Sequence, residues 1–145
     1  MKGKLIFTLA VFASVILFSC EKPGVAPKEA AIDAALLKDT TQIAFIDTTT
    51  FYFDTIKQGD KVEHIFHIKN VGDKNLLIGE AHGDCGCTVP EYPKEPVKPG
   101  DVAEIKVTFN SAGKHDDVTK TVTMTCNTPL HHEHLYLKGF VQTEK

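Results

Sequence analysis

Between Ile43 and Val141 the apolar positions recur at every second residue, the period of a strand with one face buried. Ile43 and Phe45 alternate with polar neighbours, and residues 48–56 form a second extended segment rich in threonine and aromatics. Val62, His64, Phe66 and Ile68 share one face, while Glu63, His67 and Lys69 share the other. Residues 76–81 predict a short apolar strand running into a pair of cysteines. Ala103, Ile105, Val107 and Phe109 alternate with Glu104, Lys106 and Thr108. Val118, Val122 and Met124 oppose Thr119, Thr121, Thr123 and Thr125, and in the last segment Leu135, Leu137 and Val141 point one way. Turn chemistry separates these runs, as in Gln58-Gly59-Asp60, Asn70-Val71-Gly72-Asp73, Pro99-Gly100-Asp101, Asn110-Ser111-Ala112-Gly113 and Asn127-Thr128-Pro129. About seven short strands with no helix to carry a parallel crossover predict an all-β fold, a two-layer antiparallel β-sandwich. Pro90, Pro93, Pro96 and Pro99 fall at every third residue, the repeat of a polyproline II helix, and predict a stiff segment crossing the domain.

The first 42 residues follow a different pattern. Lys2 and Lys4 precede an apolar run over residues 5–18, broken only by Thr8 and Ser14. That run is too short to span a bilayer comfortably and has the length of a signal-peptide core. It ends in Leu17-Phe18-Ser19-Cys20, which resembles a bacterial lipobox with its acceptor cysteine. The expectation is a signal peptide over 1–19, fatty acylation (palmitate among the chains) at Cys20, a tether over 20–42 and a folded domain over 43–145. Two or more acyl chains anchor a protein stably where one does not. The chain is therefore expected in the cell envelope, held to a bacterial membrane and facing the periplasm or the outer surface. Within the tether, residues 28–38 carry helix formers with Ile32, Ala35 and Leu36 at helical spacing, enough for at most one short helix.

Charge narrows the function classes. The net charge is −3, and removal of Lys2 and Lys4 with the signal takes it to −5. The chain has no arginine and no tryptophan. Bidentate recognition of phosphate and guanine is arginine's speciality, and an acidic domain repels a phosphate backbone, so nucleic acid is excluded as a partner. Apart from Cys20 three cysteines remain, Cys85, Cys87 and Cys126, which permits at most one internal disulfide.

Several of these stretches together carry a family resemblance. Residues 53–59, Phe66-x-Ile68-x-Asn70-x-Gly72, Cys85-Gly86-Cys87-Thr88, Pro99-Gly100, Ile105-x-Val107-x-Phe109 and Ser111-x-Gly113-Lys114 resemble the bacterial domain-of-unknown-function family 1573 over nearly all of residues 43–141. The resemblance implies an exported protein, often a lipoprotein, with an immunoglobulin-like sandwich of the MSP and hydin type. Asp54 departs from the glycine that members usually carry there, which bears on a tight bend just before Thr55. The family implies a fold and a location, and no activity.

The cysteines hold the least ordinary chemistry. In extended backbone residues i and i+2 point the same way, so Cys85 and Cys87 could face one copper or zinc ion, with His82 or Cys126 as a further ligand. Oxidation is the alternative, if Gly86 lets the chain pinch into disulfide range, and such a bond would be easily reduced. Cys126 has the inward parity of its strand and could pair with either sulfur. His132 and His134 share a strand face and form a weaker metal pair, whose plain reading is a solvated strand entrance. His64, on an apolar face, reads as a core histidine donating to a carbonyl.

Hydrolytic chemistry finds little support. Ser111 is the only serine after Cys20 and does not lie in a nucleophile elbow. Carboxylates such as Asp60 and Asp116-Asp117 sit in turns, and no phosphate loop or small-molecule site is legible. The consecutive aromatics Phe51, Tyr52 and Phe53 must send at least one ring outward, and with Tyr92 could form a partner surface. The expectation is a non-catalytic, membrane-anchored module that binds or scaffolds an envelope protein, with no cofactor. The rivals are an envelope copper- or zinc-binding protein and, after it, a thiol–disulfide redox protein.

Overall fold

A computed structural model describes residues 38–143. The signal segment, Cys20 and residues 21–37 of the tether, with the short helix expected there, lie outside the described residues. The described chain forms eight strands: β1 (Ile43–Phe45), β2 (Thr50–Lys57), β3 (Lys61–Asn70), β4 (Ile78–Gly83), β5 (Thr88–Glu91), β6 (Val102–Asn110), β7 (Asp116–Cys126) and β8 (His132–Gln142). They make two four-stranded sheets, ordered β1-β3-β6-β5 and β2-β8-β7-β4.

The alternation read from the sequence becomes the core. Phe66, Ile68, Ile105, Val107 and Phe109 face inward from the first sheet. Val122, Met124, Leu135, Leu137 and Val141 meet them from the second, all at 1% exposure or less. The result is an immunoglobulin-like β-sandwich.

Three features depart from the expected pattern. First, there are eight strands, because Pro90 lies within β5 and not in a crossing segment. Proline cannot donate to a ladder, and β5 tolerates it because it is the edge strand beyond β6. Second, one pair is parallel. β1 pairs antiparallel with β3, after which the chain passes to the other sheet and β2 runs parallel to the last strand, β8. No crossover helix is needed, since nearly the whole domain separates these two strands. Third, β4 begins at Ile78; Leu76, expected in that strand, instead makes an isolated two-bond bridge to Val97.

The bend before Thr55 is present although Asp54 is no glycine. The β2–β8 register slips between Tyr52 and Thr55, so that Phe53 and Asp54 stand opposite Gly139 alone. The glycine is required on the facing strand: a Cβ at Gly139 would lie 2.2 Å from the Phe53 ring and 2.3 Å from its carbonyl oxygen. Buried polar side chains close one end of the sandwich, around Thr41. Asn70 accepts from Thr41 and donates to the carbonyls of Lys74 and Val97, and Asn127 donates to those of Asp39 and Asn75 while accepting from the Leu77 amide.

Candidate functional site

The cysteine pair occupies a corner between the sheets. β4 is the edge of one sheet, β5 the edge of the other, and the short segment joining them holds Cys85 and Cys87 in a disulfide with Cα atoms 5.2 Å apart. The pinch is a hydrogen-bonded turn, closed by the Thr88 amide donating to the Cys85 carbonyl at 3.1 Å. On the far side the Asn110 amide donates to the Cys87 carbonyl at 2.8 Å, tying the turn to β6. Gly83 lies so close to the Thr88 backbone that a Cβ there would meet its carbonyl oxygen at 2.4 Å. Gly86 itself does not have the left-handed φ of the glycines at 59, 100 and 113, so its backbone does not require glycine. A Cβ at Gly86 would meet nothing within 4 Å. Both sulfurs are half-buried, and the Thr88 hydroxyl lies 3.8 Å from Cys85 Sγ and 3.9 Å from Cys87 Sγ.

The other proposed ligands are elsewhere. Cys126 is buried and free at the C-terminal end of β7; Asp84, beside the disulfide, bonds to Thr121 in the middle of that strand, five residues from Cys126. At strand rise this separation is about 15 Å, so Cys126 neither pairs with nor joins the other two sulfurs. Burial, reinforced by the Glu133 carboxylate, pushes the Cys126 thiol up to about 12. His82 is exposed on β4, with its Nδ1 3.8 Å from Glu80. His132 and His134 are exposed on β8, and His134 Nδ1 lies 3.2 Å from the Thr123 hydroxyl. Among the described residues no group of three or more His, Cys, Asp or Glu side chains could hold a metal ion.

His64 differs from its expected role. Its ring stacks on Phe51 with centroids 3.9 Å apart and meets Phe66 edge-on. Its Nε2 is buried and finds no partner, so it does not donate to a carbonyl. Burial holds its pKa below the usual 6.5, against a smaller opposing pull from Asp47 and with a small lowering contribution from His67. Ser111 is fully buried and structural: its hydroxyl accepts from the Gly59 amide and lies within hydrogen-bond reach of the Lys57 and Asp60 carbonyls. A surface hollow of ≈ 430 Å³ near Asp73 and Asn127 and another of ≈ 300 Å³ near Phe45 and Leu130 contain none of the cysteines and none of the histidines.

The two outer sheet faces contrast. Outside β3, β6 and β5 the surface is charged, with Ile65, Val89 and Val102 exposed among the charges. Lys106 pairs with Glu63 at 3.2 Å, His67 bonds Asp47 at 2.7 Å and approaches Glu104 at 3.9 Å, and Lys61 and Lys69 share the face without an ion pair among the described residues. Outside β2, β8 and β7 the surface is largely uncharged. His132, His134, Tyr136, Lys138 and Phe140 follow one another along β8, alternating with inward residues. Tyr52, at 70% exposure, stands opposite Lys138 on one side, and Thr119, Thr121, Thr123 and Thr125 form the neighbouring row on the other. The Lys138 ammonium lies 5.8 Å from the Tyr136 ring centroid, so even this charge is drawn over an aromatic.

Of the aromatic run, only Tyr52 faces out; Phe51 is half-buried and Phe53 is core. Tyr92 does not join it. It donates to the Gly79 carbonyl of β4, at the opposite edge of the sheet and about 14 Å across at ordinary strand spacing. Tyr136, Lys138 and Phe140 were legible as one face from the alternation of β8, once Leu135, Leu137 and Val141 were assigned inward.

Comparison with known proteins places the fold. No curated protein sequence matches the chain. A protein of unknown function from Porphyromonas gingivalis W83 superposes with a TM-score of 0.61 at 14% identity, over 72% of this chain and 48% of that one. The PapD-like domain 7 of human CEP192 gives 0.56 at 11% identity over 73% and 89%. The secreted serine protease VesC of Vibrio cholerae gives 0.54 at 10% over 79% and 25%. The chain thus spans about half of the first of these and a quarter of VesC, and at such identities the likeness is one of fold. The family described as "Protein of unknown function (DUF1573)" matches residues 44–141, which take in all of β2 to β7 and all but one residue each of β1 and β8, and the chain belongs to that family.

Proposed function

We propose that this domain is a non-catalytic binding module of the bacterial cell envelope, held at a membrane by acyl chains on Cys20, and that it engages a protein partner through the outer face of β2, β8 and β7. The contrast between the two outer faces carries this reading. On the β3–β6 side charged residues such as Lys61, Glu63, Lys69, Glu104 and Lys106 are interleaved with aliphatic side chains, whereas on the other side Tyr52, Tyr136 and Phe140 present ring surface beside a row of threonine hydroxyls. Aromatic rings with adjacent hydrogen-bonding groups are the usual anchors of protein interfaces. The exported, lipid-anchored part of the proposal rests on the lipobox-like Leu17–Cys20 sequence.

The test is a pull-down in mild detergent from bacterial membranes, comparing the wild-type chain with Tyr52→Ser/Phe140→Ser. A partner enriched by the wild type and lost from the double variant supports the proposal. No enriched protein, or equal recovery with both chains, refutes it. Metabolic labelling with a fatty-acid analogue tests the anchor, since Cys20→Ser should abolish incorporation.

A further inference from the structure

We infer that the Cys85–Cys87 disulfide is an exchangeable bond, open to an attacking thiolate from its Gly86 side and able to oxidise a dithiol. This goes beyond the binding role and does not depend on it. A structural crosslink earns its stabilisation by closing a long loop, yet this one joins residues only two apart. Those residues are already held together by the Thr88 amide bond to the Cys85 carbonyl and by the Asn110 bond to Cys87. The disulfide therefore adds little to a turn that is already fixed, and the same fixation keeps two reduced thiols side by side for re-closure.

Access is the second observation. Gly86 has neither a left-handed φ nor a crowded Cα, so no backbone or packing requirement explains a glycine there. With no side chain at Gly86, and no atom other than those of its chain neighbours within 4 Å of where a Cβ would lie, that side of the turn is open, and both cysteines are only half-buried. Cys87 packs partly against the core whereas Cys85 does not, which makes Cys85 Sγ the sulfur presented for attack.

The exchange balances as follows. A partner thiolate attacks Cys85 Sγ, forming a mixed disulfide and expelling the Cys87 thiolate, toward which the Thr88 hydroxyl can donate from 3.9 Å. The partner's second thiolate then attacks its own sulfur in the mixed disulfide and releases the Cys85 thiolate, 3.8 Å from the same hydroxyl. The partner leaves as a disulfide, two electrons pass to this protein, and the two protons of the partner dithiol end on Cys85 and Cys87. The reacting chemistry is a thiol, whether from a protein dithiol or from glutathione.

The full chain, kept folded, is incubated with millimolar glutathione or with a Cys-x-x-Cys peptide, quenched with an alkylating agent and weighed. Exchange predicts two new alkylations, at Cys85 and Cys87, with Cys126 unlabelled as the buried control. The arm that reacts faster identifies the source of the thiol. Gly86→Leu fits the open space, so it should leave folding intact while slowing the peptide arm about tenfold, with a smaller effect on glutathione. A pair that stays oxidised in both arms until the chain is denatured overturns the proposal. So does an unchanged peptide rate in Gly86→Leu, which would mean that thiols do not enter by that side.

Discussion

Replacing Gly139 with alanine adds a single carbon where the second sheet has no room for it. The new Cβ would stand 2.2 Å from Phe53 Cδ2 and 2.3 Å from the Phe53 carbonyl oxygen, against an ordinary contact of roughly 3.4–4 Å. Something must move by more than an ångström. The Phe53 ring cannot easily yield, since it is 7% exposed and packs against Phe109 at 5.7 Å. The carbonyl belongs to the bulge that bends β2 along β8. Overpacking costs typically about 1–3 kcal/mol, and the upper end applies where a backbone atom is among those displaced. At ~4 °C per kcal/mol for a domain of this size, the melting temperature should fall by about 12 °C. Denaturant unfolding of the full chain, followed by circular dichroism because the protein has no tryptophan, measures the loss. In a Phe53→Ala background the ring contact is gone, so Gly139→Ala should cost at least about 1 kcal/mol less than it does alone. A cost below about 0.5 kcal/mol, or the same cost in both backgrounds, would refute the close-approach argument, since alanine otherwise suits a strand better than glycine.

His64 predicts an acid-sensitive sandwich. Its folded pKa lies below the unfolded 6.5, so the unfolded chain takes up the proton first. Stability is complete above that value and falls as the pH drops from about 6.5 through the lowered folded value. His64→Phe keeps the stack on Phe51, removes the unpartnered Nε2 and should flatten this part of the stability–pH curve while adding about 1 kcal/mol at pH 5; an unchanged slope would assign the acid sensitivity elsewhere. Ser111→Ala strips the Gly59 amide of its acceptor at the β2–β3 turn and should cost about 1–2 kcal/mol in denaturant unfolding, whereas a neutral result would mean that water replaces the hydroxyl.

Much of the fold was legible because a sandwich buries one face of every strand, and side-chain parity reports that directly. Phe66, Ile68, Ile105, Val107 and Phe109 were assigned inward from alternation alone and are all buried. Parity does not say which strand is the neighbour. For that reason nothing in residues 43–57 distinguished an antiparallel first strand from one divided between two sheets, with its second half parallel to β8. β5 was hidden by Pro90, whose missing donor argues against a strand only when both edges must pair.

The candidate site was less readable, because its features depend on contacts between distant residues. The Cys-Gly-Cys spacing allowed a metal pair, a bridge between the two cysteines or a bridge to Cys126; the choice turns on β7 carrying Cys126 away from the other two sulfurs. The need for glycine at 139 is set by Phe53, more than eighty residues earlier, and has no local signature. His64 reads as an ordinary core histidine until the fold stacks its ring on Phe51 and leaves the buried Nε2 without a hydrogen-bond partner.

The proposal that a partner sits on the outer face of β2, β8 and β7 is tested most directly by photo-crosslinking in living cells. A photoreactive side chain is placed in turn at Phe140, on that face, and at Val102, which is 46% exposed on the outside of the other sheet. The account predicts a discrete protein adduct from position 140 and none from position 102. Adducts from both positions alike, or from 102 alone, would contradict it.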